Sequence, residues 1–323
     1  MESVLIHIGA PKTASTTLQR GLLQRHPGIH FFGEDGEGHL SKADAETVES
    51  MIHDDDFYFS GPACREVFDK HRALAKGKSL VYSNADIMAS RVPMACAKRL
   101  HDYLPDARVL LIVRNQLTAI PSYYANHGAF LKPAPPSHFH RFVSFDDWMS
   151  HCTRFMKYSP LSSYFYSEYL RIYSDLFGKD RITVLLFEDF VNDRERFVRE
   201  LSGVLRVGSK EVGELLSNAH ERKRVSMRTL RFQKFRNMFL WGVPLARLIP
   251  GGNTLSRGWR RWLESGPKAD GFVSEFWKSK IERLYAESNA TLLREFDVPI
   301  DRYGYPMPVG GRGNATEKGE ARA

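Results

Sequence analysis

The sequence predicts an α/β protein, a central parallel sheet flanked by helices. Two observations carry the prediction. Short runs that are apolar almost throughout, instead of alternating with polar residues, mark strands covered on both faces. The segments between them carry apolar residues at helical spacing, the pattern of strand–helix–strand units.

Taken in order, Val4–Ile8 is the first strand and stops at Gly9. Residues 16–25 follow as a helix with Leu18, Leu22 and Leu23 on one face. Residues 80–82 form a short second strand. Residues 95–103 are helical and halt ahead of Pro105, since the residue before a proline avoids helical backbone. Arg108–Val113 (RVLLIV) is the strongest buried strand, and residues 118–125 follow as a helix with Pro121 in its opening turns. Residues 132–142 hold three prolines together with His138 and His140 and are a loop. Residues 161–177 are one long helix rich in aromatics. Residues 181–187 (RITVLLF) are another buried strand, and Arg194–Leu205 another helix. No internal repeat is visible.

A chain of 323 residues with 42% hydrophobic and 26% charged residues can bury a core of its own. One domain is expected over residues 1–309, with a small, polar, disordered tail over 310–323. The net charge of +8 favours anionic partners: phosphates, sulfates, nucleic acid or an acidic membrane surface. Cys64, Cys96 and Cys152 are too scattered for a disulfide scaffold or a zinc site and are expected to be free thiols in a reducing compartment. No stretch approaches the roughly 18 apolar residues of a membrane span, and no signal peptide precedes the first strand. The expectation is a cytoplasmic protein. No metal is expected, because the chain lacks HExxH, a carboxylate cluster, and His or Cys at ligand spacing.

The most informative segment is His7-Ile-Gly-Ala-Pro-Lys12-Thr13-Ala14-Ser15-Thr16-Thr17-Leu18-Gln19. A strand runs into a turn of small residues, a lysine, four hydroxyl side chains within five positions, and then a helix. The opening amides of a helix have no intrahelical acceptor, and its dipole places partial positive charge there. Lys12 adds a full charge. Capping alone needs one or two hydroxyls, not four beside a lysine. The spacing is not that of GxxxxGK[ST], since no glycine precedes Lys12.

The segment resembles the 5′-phosphosulfate-binding motif PKTGTT or PKSGTT of sulfotransferases that use 3′-phosphoadenosine 5′-phosphosulfate (PAPS). More narrowly it is similar to the bacterial branch whose chains begin HIG-x-PKTGTT-x-LQ. Ala14 stands where that family usually has glycine, and Ser15 where it has threonine. Serine keeps the hydroxyl; alanine for glycine is tolerable only where φ is negative. The resemblance implies that Lys12 contacts the bridging oxygen between phosphate and sulfate. It implies that Thr13, Ala14, Ser15, Thr16 and Thr17, through hydroxyls and amides, hold the 5′-phosphate. The family binds the donor's 3′-phosphate with an arginine at a strand end and a serine eight residues on, which here are Arg114 and Ser122. It often has an aromatic followed by Glu-Asp after a late strand, matched by Phe187-Glu188-Asp189, with Phe187 beside the adenine. Glu188 and Asp189 equally suit structural roles capping the next helix. The resemblance covers roughly residues 4–205 and implies a P-loop-kinase-like sulfotransferase fold with helical extensions.

The acceptor must lose a proton, and relatives use His or Glu for this. Glu34 is the first choice, after the His26-Pro27 that ends the first helix; Asp35 and His39 are neighbours, and Asp86 is a further choice. The acceptor is expected to be a carbohydrate or small molecule with a hydroxyl or amine.

Residues 222–263 hold eleven Lys or Arg and no Asp or Glu, interleaved with Phe232, Phe235, Phe239, Trp241, Trp259 and Trp262. This segment is an insertion or lid. Four roles suit it: a solvated basic face, closure over the 3′-phosphate through Arg222, Lys223 or Arg224, an acceptor platform, or peripheral membrane contact along Met227, Leu230, Phe235, Met238 and Phe239. No nucleic-acid motif accompanies the charge. Two other classes compete with a sulfotransferase: a P-loop-type nucleotide kinase or NTPase, and a non-enzymatic polyanion- or membrane-binding protein with a degenerate nucleotide site. Oligomeric state is not legible.

Overall fold

The structure, a computed structural model, describes residues 3–33, 40–128, 143–219, 225–232, 258–259, 261–267, 269 and 271–308. Five strands pair in parallel: β1 (Val4–Ile8), β2 (Ile29–Gly33), β3 (Ser79–Asn84), β4 (Arg108–Val113) and β5 (Ile182–Leu186), in the order β2-β3-β1-β4-β5. Register follows the apolar runs, with Ile6 opposite Tyr82 and Val109, and Val113 opposite Leu186.

Both faces of the sheet are covered, which is why the strands are apolar throughout. Ile6, Ile8, Tyr82, Val109 and Leu111 pack toward α2 (Lys42–His53), α3 (Gly61–Leu74), α4 (Pro93–Tyr103), α7 (Tyr166–Phe177) and the final long helix α11 (Glu275–Phe296). Leu5, Val81, Leu110 and Ile112 pack on the other face toward α9 (Arg194–Leu205), α10 (Ser209–Ser217) and the helix after β1. The chain leaves β1 toward β2 and leaves β4 toward β5, on opposite sides. A crevice therefore opens between the carboxyl ends of β1 and β4, where open α/β sheets bind ligands.

Several elements differ from the sequence expectation. The helix after β1 is a single α-turn, α1 (Ser15–Thr17), that runs on as a π-helix over Leu18–Leu23. The helix after β4, α5 (Gln116–Tyr123), starts two residues early because the Asn115 side chain accepts from Leu117 N. Past Pro121 it widens into a π-turn over Tyr124–Gly128. Residues 161–177 are not one helix: a 3-10 turn over Pro160–Tyr164 breaks at Phe165 before α7 begins. The break leaves the Tyr164 carbonyl to accept from Gln116 Nε2 at 3.3 Å. α4 opens at Pro93, at its N-terminus as proline prefers. β2, α2, α3, α6 (Phe145–Arg154), α10 and α11 are elements the sequence reading did not anticipate. α8 (Phe187–Asn192) follows β5 without a loop.

The C-terminal segment closes onto the strand ends. Asn115 Nδ2 donates to the carbonyls of Tyr303 and Gly304, both at 3.0 Å, and Asn289 Nδ2 donates to Pro306 O at 2.9 Å. All three cysteines are buried free thiols, each pushed up to about 12 by burial, so they are inert. Among the described residues no helix is long and apolar enough to cross a membrane, and no three His, Cys, Asp or Glu stand together as a metal site.

Candidate active site

A cleft of about 1630 Å³ opens at the carboxyl ends of β1 and β4. Its floor is the loop after β1: Ala10, Pro11, Lys12, Ala14, Ser15, Thr16 and Thr17. Arg114 and Ser122 enter from β4 and α5, Phe187, Phe190 and Val191 from α8, and Ala85 and Asp86 from the turn after β3. Of the residues expected from sequence, Lys12, Ala14, Ser15, Thr16, Thr17, Arg114, Ser122, Phe187 and Asp86 thus border one cavity. Thr13 does not border it. Its side chain is buried, and its hydroxyl donates to Ala10 O at 2.8 Å and lies 3.5 Å from Ser15 Oγ, closing the loop on itself. Glu34, Asp35, His39, His138, His140, Arg222, Lys223 and Arg224 lie outside the described residues, as do Phe235, Met238, Phe239, Trp241 and the tail.

The loop's backbone explains the glycine that the motif usually carries. Ala14 holds φ +66° and Lys12 φ +67°, both left-handed. The expectation that Ala14 would need negative φ is therefore wrong for this chain, which tolerates the strain instead. A left-handed non-glycine residue costs roughly 1–2 kcal/mol, partly offset because alanine has less unfolded-state entropy to lose. Ala14→Gly is expected to raise the thermal unfolding midpoint by about 1–2 °C, read by scanning calorimetry; a lowered midpoint would show that the position is unstrained. Gly9 is required for another reason. A Cβ there would lie 2.9 Å from Ala85 Cα and 3.0 Å from Ser15 Oγ, so only glycine lets β3's exit approach the loop.

Arg114 ties the two sides of the crevice together. Nη1 donates to the Lys12 carbonyl at 2.9 Å, Nε donates to Thr118 Oγ1 at 3.0 Å, and the guanidinium lies 4.4 Å over the Phe187 ring. Its backbone is held by Tyr166, whose hydroxyl donates to Arg114 O at 2.8 Å and whose phenol burial pushes well above the usual tyrosine range. Glu188 serves this scaffold. Its Oε1 accepts from Asn115 N at 3.0 Å and its Oε2 from Tyr305 OH at 2.9 Å. Asp189 is buried and accepts from Tyr303 OH at 2.5 Å, with Arg302 Nη2 at 3.6 Å. Neither caps the following helix; Asp193 does, accepting from Arg196 N.

The far wall is one that sequence reading missed. α2 presents Glu46, Glu49, Ser50 and His53 along one face, and Asp54 follows. Their i, i+3, i+4, i+7 spacing, opposite the buried Val48, Met51 and Ile52, was the available signal. Tyr123, Asn126 and His127 complete the rim from α5 and its π-turn, with the Tyr123 and His127 rings 4.9 Å apart. Lys157 and Tyr158 face them. Just past the basic segment, Glu264 and Gly266 reach the cleft. Leu230, expected on a membrane-facing stripe, is buried against the core instead. Trp259 and Trp262 stack at 4.9 Å, half-exposed, with the Arg228 guanidinium 4.9 Å over Trp262.

The parallel sheet thus carries at its switch point a hydroxyl-rich, lysine-bearing loop, joined by a hydrogen bond to an arginine from the neighbouring strand. The chain matches the sulfotransferase family over residues 5–208 and belongs to it. That span agrees with the region in which the sequence motifs fall. Two solved structures are similar. One is a sulfotransferase from Alicyclobacillus acidocaldarius, 20% identical, covering 65% of this chain and 83% of its own, with a TM-score of 0.43. The other is the sulfotransferase domain of the Synechococcus PCC 7002 olefin synthase, 14% identical, covering 92% and 95%, with a TM-score of 0.41. Among curated proteins none matches the chain.

Proposed function

We propose that this protein transfers the sulfuryl group of PAPS to a hydroxyl or amine of a carbohydrate or small molecule, through a loop of the bacterial type. One observation carries the reading: Lys12, Ser15, Thr16 and Thr17 share a cleft with Arg114, Ser122 and Phe187. The chemistry of that set suits the donor. Hydroxyls and a lysine match the 5′-phosphosulfate, a guanidinium and a hydroxyl match the 3′-phosphate, and an aromatic face matches adenine.

Sulfuryl transfer, like phosphoryl transfer, is an in-line displacement governed by positioning and charge stabilisation. Lys12 neutralises charge on the leaving oxygen, and the helix opening at Ser15 orients the phosphate. Thr13 acts indirectly, by closing the loop onto Ala10. The acceptor's proton passes to a carboxylate or imidazole. Asp86 is favoured here because it borders the cleft beside Ala85; Glu34 and His39 are the other choices.

Calorimetric titration with adenosine 3′,5′-bisphosphate, the nucleotide product, tests this. Micromolar binding, about −8 kcal/mol, is expected, together with loss of affinity in Arg114→Ala and no response to ATP with magnesium. Tight ATP binding without bisphosphate binding would replace this reading with a nucleotide kinase. Binding of neither would leave a degenerate site.

A further inference from the structure

Behind the loop lies a chain of polar side chains that the reaction does not touch. Gln19, Ser83 and His7 are essentially fully buried. Gln19 Nε2 donates to Ser83 Oγ at 3.1 Å, with Ser83 O at 3.4 Å, and Ser83 Oγ is 2.7 Å from His7 Nδ1. An amide nitrogen only donates, so Ser83 Oγ accepts from Gln19, and with its second lone pair and its own proton it can either accept from or donate to His7 Nδ1. His7 Nε2 has no partner among the described residues. A buried polar atom without a partner calls for an explanation.

The explanation lies at Gln19. It sits in the π-helix, with its carbonyl accepting from Gln24 N five residues on at 2.9 Å. π-helical turns are rare and gather at functional sites, so this one needs restraint from outside. On one side Gly21 supplies it, lying so close to the end of α10 that a Cβ there would be 2.5 Å from Ala219 Cβ. On the sheet side the restraint is the Gln19 amide. The same β3 strand carries Asn84, whose carbonyl accepts from Gly9 N at 3.4 Å, so Ser83 and Asn84 grip the loop at both ends.

We propose that His7 is a positioning residue for the phosphate loop. Through Ser83 it orients Gln19, which sets the π-turn and thereby aims Ser15, Thr16 and Thr17 into the cleft. The proposal rests on the donor reading above for what the loop holds.

The test uses the full-length protein with His7→Leu, His7→Asn, Ser83→Ala, Gln19→Leu and the Ser83→Ala/Gln19→Leu double variant. Asparagine can return an acceptor near the Nδ1 position; leucine cannot. Affinity for adenosine 3′,5′-bisphosphate is expected to fall about tenfold in His7→Leu, Ser83→Ala and Gln19→Leu. The double variant should be no worse than its singles, and His7→Asn should restore most of the loss. Lower thermal midpoints with unchanged affinity in the folded protein would overturn the proposal and leave the network as packing. Hydrogen exchange of amides 15–24, measured without nucleotide, separates this failure from that of the donor reading. If the wild type does not bind the bisphosphate, the donor reading fails. The positioning role then stands on faster exchange in Ser83→Ala and Gln19→Leu than in wild type, and falls if exchange is unchanged.

Discussion

Lys12→Met is expected to lower the rate of sulfuryl transfer about 10²–10³-fold, the cost of removing one group aimed at charge that develops in the transition state. The substitution is chosen to separate charge from scaffold. Arg114 holds the Lys12 carbonyl, not its side chain, so the main-chain tie across the crevice survives. Methionine keeps a Cβ and an unbranched stem, so the left-handed backbone at this position is no more strained than before. The loss should fall on kcat with labelled donor, while the thermal midpoint stays near that of the wild type. An unchanged kcat would remove Lys12 from the chemistry and shift the charge-stabilising role to Arg114.

The second large effect concerns acid stability. Burial pushes His7 down to about 4 from its ordinary 6.5. The unfolded chain takes up a proton on this residue near pH 6.5, and the folded chain does so only near pH 4. Between those values the unfolded state binds more protons, so stability is full above pH 6.5 and falls as the pH drops toward 4. A gap this wide corresponds to about 3 kcal/mol. Protonation makes both ring nitrogens donors, so in the same window Ser83 Oγ can only accept from Nδ1. Urea unfolding at intervals from pH 7 to 4 should show this slope in the wild type, and His7→Asn should flatten it. Equal slopes in the two proteins would sink the assignment. The carboxylates of Asp44, Asp106 and Glu295 are held low by Lys70, Arg72 and Arg171 respectively. Their contributions are lost only as the pH falls through or below the ordinary carboxylate range, at the lower edge of the histidine window and beneath it.

How much of this was legible beforehand follows the range of the interactions. The apolar strands β1, β4 and β5 announce themselves because a strand covered on both faces must be apolar along its length. The loop is legible because its lysine and hydroxyls are contiguous. β2 was missed because His26, Pro27 and Gly28 crowd its start and His30 and Gly33 interrupt its apolar run. α11 was missed because its apolar positions serve packing against α5 and α7, two segments far away in the chain.

By itself, then, the sequence determined the parallel α/β class and singled out the loop after β1 and the Arg114–Ser122 spacing, residues that line one cleft, because each is written in a contiguous stretch. Tertiary structure alone decided the rest. It set the strand order that makes β1 and β4 neighbours, the left-handed turn at Ala14, the inward closure of Thr13 and the structural duty of Glu188 and Asp189. It also decided the wall that α2 presents and the tether from His7 to Gln19. Each of these depends on which distant residue supplies a hydrogen bond or occupies a volume, and spacing along the chain carries no record of that.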